Sequence, residues 1–249
     1  MFQFFIIIIK MYTNINIMNS FILSYFFSLI VQIISFFIQL YGYLLPINPK
    51  IKPLKYSLNV EFLVSIIELF VYFWIGYSLH NLKSVMNKRY LDWFITTNFM
   101  ILSLSLLFIF YSQKERREKH NDTYDKKLED NSNIISNNIF TILPIMFFNT
   151  LMLIMGYLGE IQYIQKLYSF SIGFIFFFLS FYLLYVQFAN KSINGKRVFY
   201  IIAFIWSLYG IAHLFKKIPK NTSYNILDLI SKNALGIFLV YELIGETSV

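Results

Sequence analysis

Five ionisable residues sit where ionisable residues are costly. Glu61, Glu68, Asp92, Asp228 and Lys232 all fall inside long apolar runs. Near the centre of a bilayer each such group costs about 2.5–3.5 kcal/mol on insertion scales. Five of them sum naively to on the order of 12–17 kcal/mol, which rivals the stability of a whole fold. They must face one another or water, and function is the default explanation for them. In NILDLISKNALGIFL, Asp228 and Lys232 are four residues apart and share a helix face across a rise of about 6 Å. One use of that pair is a salt bridge that holds helices together. Another is chemical, because a desolvated lysine amine condenses with an aldehyde to a Schiff base. The positive charge buried there then demands a carboxylate.

The stretch RYLDWFITTNFM offers that carboxylate. Asp92 and Thr96 lie one turn apart on one face, Trp93 and Thr97 on the adjacent face, and Arg89 about one turn from Asp92. Acid, hydroxyl and guanidinium form a polar column. WSLYG puts Trp206 and Tyr209 three residues apart on a single face. Aromatics at that spacing ordinarily fill a core. Beside the column and the lysine they also suit the walls of a slot for a flat polyene.

Composition dictates the elements that must carry these residues. The chain has 249 residues, 57% hydrophobic and 14% charged, against about 25% charged in a soluble domain. That excludes a soluble enzyme and a disordered chain. The absence of cysteine excludes a disulfide framework and a thiolate zinc site. A crossing takes roughly 20 apolar residues. Seven stretches qualify, at about 20–45, 56–79, 88–111, 138–159, 164–188, 195–216 and 223–245. An all-α bundle of seven transmembrane helices is therefore expected, a multi-pass integral membrane protein with the lipid bilayer as its solvent. Short connections make most neighbours antiparallel. Residues 18–249 form the membrane domain. Residues 1–17 are too short to span and read as an extension, with Met11 and Met18 as alternative starts. The connection at about 112–137 contains KERREKHNDTYDKKLEDNSN and reads as a flexible charged loop.

The net charge is +8, but the basic residues cluster in the connections. That favours membrane-surface charge and argues against nucleic acid as a partner. Connections after spans one, three and five carry twelve Lys and Arg, and the opposite side eight. This bias puts the N-terminus outside and the charged loop in the cytoplasm.

With these residues in view, the chain resembles a type-1 (microbial) rhodopsin. DLISK resembles that family's lysine site for retinal, RYLDWFITT its counterion motif and WSLY its pocket on the sixth helix. NTLMLIMGYLGE and NILDLISKN are similar to giant-virus rhodopsins, especially the group that behaves as light-gated cation channels. The resemblance implies all-trans retinal bound to Lys232, with Asp92 as primary and Asp228 as second counterion and Arg89 ordering the cluster. It implies a pocket of Trp93, Thr97, Met100, Met152, Gly156, Trp206, Tyr209 and Ser231, with Tyr72 hydrogen-bonded near Asp228. The fifth span shows no matching tryptophan pair, so it contributes no named pocket residue. Homo-oligomers and a host cell membrane are further implications.

NVEFLVSIIELFVYFW decides among the family's activities. Glu61 and Glu68 are seven residues apart, on one face across about 10 Å. A line of glutamates on the second helix resembles the channel members, whose central gate the set Ser28, Glu68 and Asn233 matches. Gln32 and Gln39 extend a polar stripe on span one. Glu61 reads as part of the ion pathway, or as a side chain reaching the cytoplasmic interface. The expected function is a light-gated cation channel. An outward proton pump is the alternative, favoured by the Asp92, Thr96 and Arg89 column, with a photosensor behind it. Two departures weigh against a fast pump: Ser103 stands where the family's internal proton donor would be, and Glu160 is the sole weak candidate for a release group. His213 reads as an ordinary hydrogen-bonded histidine at a helix end, with proton release as the alternative. No cluster has metal-ligand spacing.

Overall fold

The computed structural model describes residues 2–46, 49–120 and 133–247, with side chains from Met18 onward. Among the described residues every regular element is helical. Helix α1 is Phe2–Leu44, and a 3₁₀ turn at Pro49–Ile51 leads into α2, Lys52–Gly76. Then come α3, Leu82–His120, α4, Ile134–Glu160, α5, Lys166–Gln187, and α6, Ile193–His213. The seventh, α7, covers 217–247 in three pieces: Lys217–Asp228, a π turn at Leu229–Asn233, and Ala234–Thr247. Six helices are long and apolar enough to cross a bilayer. In α7 the π turn leaves helical pieces of 12 and 14 residues on either side. Chain neighbours pack side by side, α7 closes the ring on α1 and α2, and α3 reaches inward to α6 and α7.

The burial pattern is that of a protein dissolved in lipid. On α1, Ser28, Gln32, Ser35 and Gln39 are at most 2% exposed, whereas Phe26, Phe27, Ile30, Ile34 and Phe37 are more than half exposed. Lipid tails are as apolar as leucine, so burying leucine between helices gains little. Close packing and polar contacts across helices drive association instead. Ser57 on α2 and Ser103 on α3 exchange hydroxyl-to-carbonyl bonds of 2.8 and 3.1 Å. From α5, Ser169 donates to Met155 O at 2.7 Å and Ser180 to Ile145 O at 2.9 Å, both on α4. A Cβ at Gly159 would stand 2.1 Å from Ser169 Oγ, so only glycine allows α4 to approach α5 there.

Two lysines near helix ends are buried as caps. Lys55 Nζ donates to Gly42 O, Tyr43 O and Leu45 O at 2.6–2.8 Å, meeting the orphan carbonyls at the end of α1. Lys88 Nζ donates to Trp74 O at 2.5 Å near the end of α2 and stands over the Trp74 ring.

The third helix overruns its expected end. Residues 112–120, expected to open the charged loop, continue α3 to 39 residues, about 58 Å of helix against a hydrocarbon core of about 30 Å. The overhang is held by its charges. Glu115 pairs with Lys119 at 2.8 Å and accepts the Ile193 N–H that opens α6. Lys114 pairs with Glu246 on α7, and Arg117 donates to Lys50 O. Residues 121–132 of the expected loop, and the side chains of 1–17, where an extension is expected, lie outside the described residues.

Lys55→Met removes three charge-assisted bonds and leaves buried carbonyls unmet, which costs about 1–3 kcal/mol. A lower unfolding midpoint in detergent is expected, with Lys55→Arg retaining part of the loss.

Candidate functional site

Lys232, in the π turn of α7, is 3% exposed, and its amine meets three carboxylates from three helices. Asp92 Oδ2 on α3 accepts its hydrogen bond at 2.7 Å. Glu68 Oε1 on α2 lies 3.6 Å away, and Asp228 Oδ1 on α7 itself 3.9 Å away. All three acids are buried. Lys232 and Asp228 share a face as their spacing requires, but the nearest acid comes from α3. The bond along α7 is the longest of the three.

Asp228 has its own partners. Its Oδ2 accepts from Tyr72 OH at 2.7 Å and from Arg89 at 2.8 Å, and its Oδ1 accepts from Tyr209 OH at 2.9 Å. Tyr209 OH also lies 2.7 Å from Ser231 Oγ. The other terminal nitrogen of Arg89 donates to Asn225 Oδ1. Sequence reasoning missed Asn225. Its signal was available: Asn225, Asp228 and Lys232 stand at i, i+3 and i+7, on one stripe of α7. Among the described residues no hydrogen bond or ion pair joins Arg89 to Asp92, although the two are one turn apart. The expected column is also altered at Thr96, whose hydroxyl donates to the backbone carbonyl of Asp92 at 2.9 Å and not to its carboxylate.

The expected gate set is assembled in part. Asn233 Nδ2 donates to Glu68 Oε2 at 3.4 Å. Ser28 is elsewhere: its hydroxyl donates to Asn225 O at 3.1 Å, and the α1 serine at Asn233 is Ser35, bonded to its backbone carbonyl at 3.4 Å. The register of α1 on α7 explains the shift. Tyr25 stacks on Tyr72 and Phe36 and Tyr43 flank Phe62, and on the other side Ser28 and Ser35, seven residues apart on α1, meet Asn225 and Asn233 of α7, so the serine that reaches Asn233 is Ser35. Glu61 does not reach an interface; it is 1% exposed and buried with Ser103 of α3 as its polar neighbour. Among the described residues the Gln32 amide and Gln39 Oε1 are buried without hydrogen-bond partners, and Glu68 Oε1 has its ion pair with Lys232 alone.

On the other side of Lys232 lies a cavity walled mostly by apolar and aromatic side chains, as small-molecule sites usually are. Trp93, Thr97, Met100, Met152, Gly156, Trp206, Tyr209, Ser231 and Lys232 all line it. Tyr72 does not; it stays on the Asp228 side. The α5 wall, for which no residue was named, comprises Ser169, Phe170, Gly173, Phe174 and Phe177. Their i, i+1, i+4, i+5 and i+8 spacing was legible, but phenylalanine crowds the whole helix and masked it. His213 also lines the cavity, and both its ring nitrogens lack partners among the described residues, so the hydrogen-bonded end position expected for it is not found. A second polar seam, Asn149 Nδ2 to Thr97 Oγ1 at 2.8 Å and Asn98 Nδ2 to Thr150 Oγ1 at 3.1 Å, joins α3 to α4 along the cavity.

The donor set fits one kind of occupant. A primary amine opens into an apolar chamber, and carboxylates stand behind the amine to balance a fixed positive charge. Close walls restrict the shape: a Cβ on Gly156 would meet Tyr90 Oη at 2.9 Å, and one on Gly210 the Phe174 ring at 2.3 Å. Trp93 stands edge-on to Tyr209 and Tyr224 at 5.6 and 4.8 Å between centroids, so one side of the chamber is rigid aromatic surface. Such a site suits a flat apolar aldehyde that condenses with Lys232. Among the described residues no cluster suits a metal.

Comparison with known proteins agrees with this geometry. A family model described as bacteriorhodopsin-like protein matches residues 22–245. The viral rhodopsin OLPVRII superposes with a TM-score of 0.68 at 29% identity, over 90% of this chain and 95% of that one. A blue light-absorbing proteorhodopsin from Med12 gives 0.69 at 18% identity, over 93% and 99%. The Exiguobacterium sibiricum rhodopsin gives 0.68 at 16% identity, over 94% and 98%. A search of curated protein sequences finds no match.

Breaking a buried ion pair from one side strands the other charge, at about 3–5 kcal/mol. Arg89→Met is therefore expected to lower the unfolding midpoint far more than Lys119→Ala, which removes an exposed pair on α3 worth about 0.3–0.5 kcal/mol. Equal shifts would show that Asp228 is not held by Arg89.

Proposed function

The chain belongs to the bacteriorhodopsin-like family of multi-pass membrane proteins, and from that premise we propose that it is a retinal-binding photoreceptor acting as a light-gated cation channel. Lys232 holds all-trans retinal as a Schiff base, with Asp92 as the primary counterion and Asp228, tied to Arg89 and two tyrosines, as the second. Trp93 and Trp206 wall the chromophore, and Thr97, Met100, Met152, Gly156, Tyr209 and Ser231 complete its pocket. When bound, retinal supplies a light-driven change of shape at Lys232.

One observation carries the channel reading: Glu68 stands 3.6 Å from the lysine amine and 3.4 Å from the amide of Asn233, the very next residue. A shut gate needs polar groups bonded to one another, and an open one needs the same groups free to solvate an ion. Asn233 and Lys232 share the π turn, so a displaced lysine moves the donor that Glu68 depends on. Beyond the gate, Gln32 and Gln39 leave buried amide atoms without hydrogen-bond partners among the described residues, and Glu61 is buried on α2. Unmet buried polar groups are costly unless water or an ion meets them, so they favour a hydrated lane for cations. Ser103, at the place of a pump's inner donor, spends its hydroxyl on Ser57. The Lys and Arg bias supports an outside N-terminus. Likeness to a viral rhodopsin supports a host cell membrane.

An outward proton pump is the second reading. The 2.7 Å contact from Lys232 to Asp92 favours it, because Asp92 keeps Oδ1 without a partner and is placed to accept a proton from the nitrogen.

Lys232→Ala is expected to abolish the visible band that retinal gives the wild type; a retained band would end the chromophore assignment. Photocurrents recorded against voltage separate the two readings. A channel current reverses sign with the driving force, whereas a pump current keeps its sign. Glu68→Gln is expected to change cation selectivity or dark leak, and currents identical to wild type would remove Glu68 from the gate.

A further inference from the structure

We infer that Asn225 is a positioning residue: it holds Arg89 on Asp228 and so leaves Asp92 as the direct partner of the Lys232 nitrogen. The inference rests on the retinal reading above, and it concerns how the acids divide their work.

Arg89 is 1% exposed and must find its acceptors inside the bundle. Its closest acid along the chain is Asp92, one turn further on α3. Yet one terminal nitrogen bonds Asp228 Oδ2 at 2.8 Å and the other bonds Asn225 Oδ1, so the guanidinium is drawn across to α7. The two acceptors are three residues apart on the face of α7 that also carries Lys232. A planar guanidinium presents its donors in a fixed fork, and two acceptors spaced by one helical turn hold both prongs at once. Removing Asn225 frees one prong and leaves the other on Asp228 and, at 3.4 Å, Tyr72 OH.

Helix α1 fixes which way the Asn225 amide points. Its Nδ2 donates to Ser24 Oγ at 2.8 Å, and Ser24 in turn donates to Phe21 O at 2.8 Å. Asn225 O accepts from Ser28 at 3.1 Å, which pins the backbone of the same residue. With the amide nitrogen committed to α1, its oxygen is left to face Arg89 and, at 3.5 Å, Tyr72 OH. Asparagine suits this place because it bonds the cation without adding a fourth carboxylate to a site that already holds three.

The consequence lies at the lysine. Asp228 carries Arg89 and two phenol donors, and it stands 3.9 Å from the amine. Asp92 carries the amine at 2.7 Å and has Oδ1 without a partner among the described residues. If the guanidinium were released from Asn225, that oxygen, one turn along α3, is an acceptor open to it. The positive charge would then move towards the Lys232 nitrogen.

The experiment compares retinal-loaded full-length wild type, Asn225→Leu, Asn225→Asp, Ser24→Ala, Arg89→Gln and the double variant Asn225→Leu/Arg89→Gln. Each is read by its visible absorption maximum at one pH and by its unfolding midpoint. Asn225→Leu is expected to displace the maximum, Ser24→Ala to displace it less in the same direction, and Asn225→Asp, which keeps an acceptor for Arg89 and adds negative charge where Asn225→Leu lets positive charge approach, to displace it in the opposite direction. In the Arg89→Gln background Asn225→Leu is expected to add no further shift, because its effect runs through the guanidinium. A shift by Asn225→Leu that adds in full to that of Arg89→Gln, or an unmoved maximum in both Asn225→Leu and Ser24→Ala, overturns the inference. Should Asn225→Leu not assemble, Ser24→Ala with and without Arg89→Gln decides by the same rule. A colourless wild type overturns the retinal reading itself and this inference with it.

Discussion

A lysine amine surrounded by three carboxylates in a lipid-solvated bundle is the constraint on which the rest of the structure depends. Alone in hydrocarbon, any one of these charges would unfold its helix from the membrane or carry water in with it. Together they form a network of Lys232, Arg89, Asp92, Asp228 and Glu68 in which each cation finds an acid at hydrogen-bond distance. Two cations face three acids. The third negative charge has to be met by a proton or by a mobile cation, and Glu68 is the acid with the weakest fixed partners. A scaffold of apolar helices would have no reason to keep such an imbalance at its centre.

That network also divides the bundle into two working halves. On one side, α3 to α7 enclose an apolar, aromatic chamber that opens onto the amine. On the other, α1, α2 and α7 present serines, glutamines and glutamates to one another. Lys232 belongs to both, since its π turn carries Ser231 towards the chamber and Asn233 towards Glu68. A local change at the amine therefore has a short mechanical route to the polar side. Coupling of this sort needs an element with two arrangements, the role proposed above for the Glu68–Asn233 contact.

The remaining structure keeps these halves in register. Lipid offers no hydrophobic drive to bring helices together, so buried serines and lysines do it by bonding backbone carbonyls of neighbours. Lys55 and Lys88 look like loop charges in the sequence and act as caps. The overhang of α3 binds the ends of α6 and α7 and the α1–α2 connection through Glu115, Lys114 and Arg117.

Much of this was legible in one dimension. Apolar run length announced the crossings, and the cost of charge in lipid marked Glu61, Glu68, Asp92, Asp228 and Lys232 before any coordinate. Helical spacing alone paired Asp228 with Lys232 and stacked Trp93 with Thr97, because residues on one helix have fixed angular relations. What spacing cannot supply is the rotation and register of one helix against another. Only the folded bundle decided that Asp92 and not Asp228 is nearest the amine, and that Arg89 turns away from its chain neighbour to Asn225. It alone showed that Ser28 meets Asn225 while Ser35 meets Asn233. It alone brought a uniformly aromatic α5 to the chamber with one particular face. Local sequence dictates which groups a helix can offer along a stripe; contact between stripes depends on packing from all sides, which no single helix encodes.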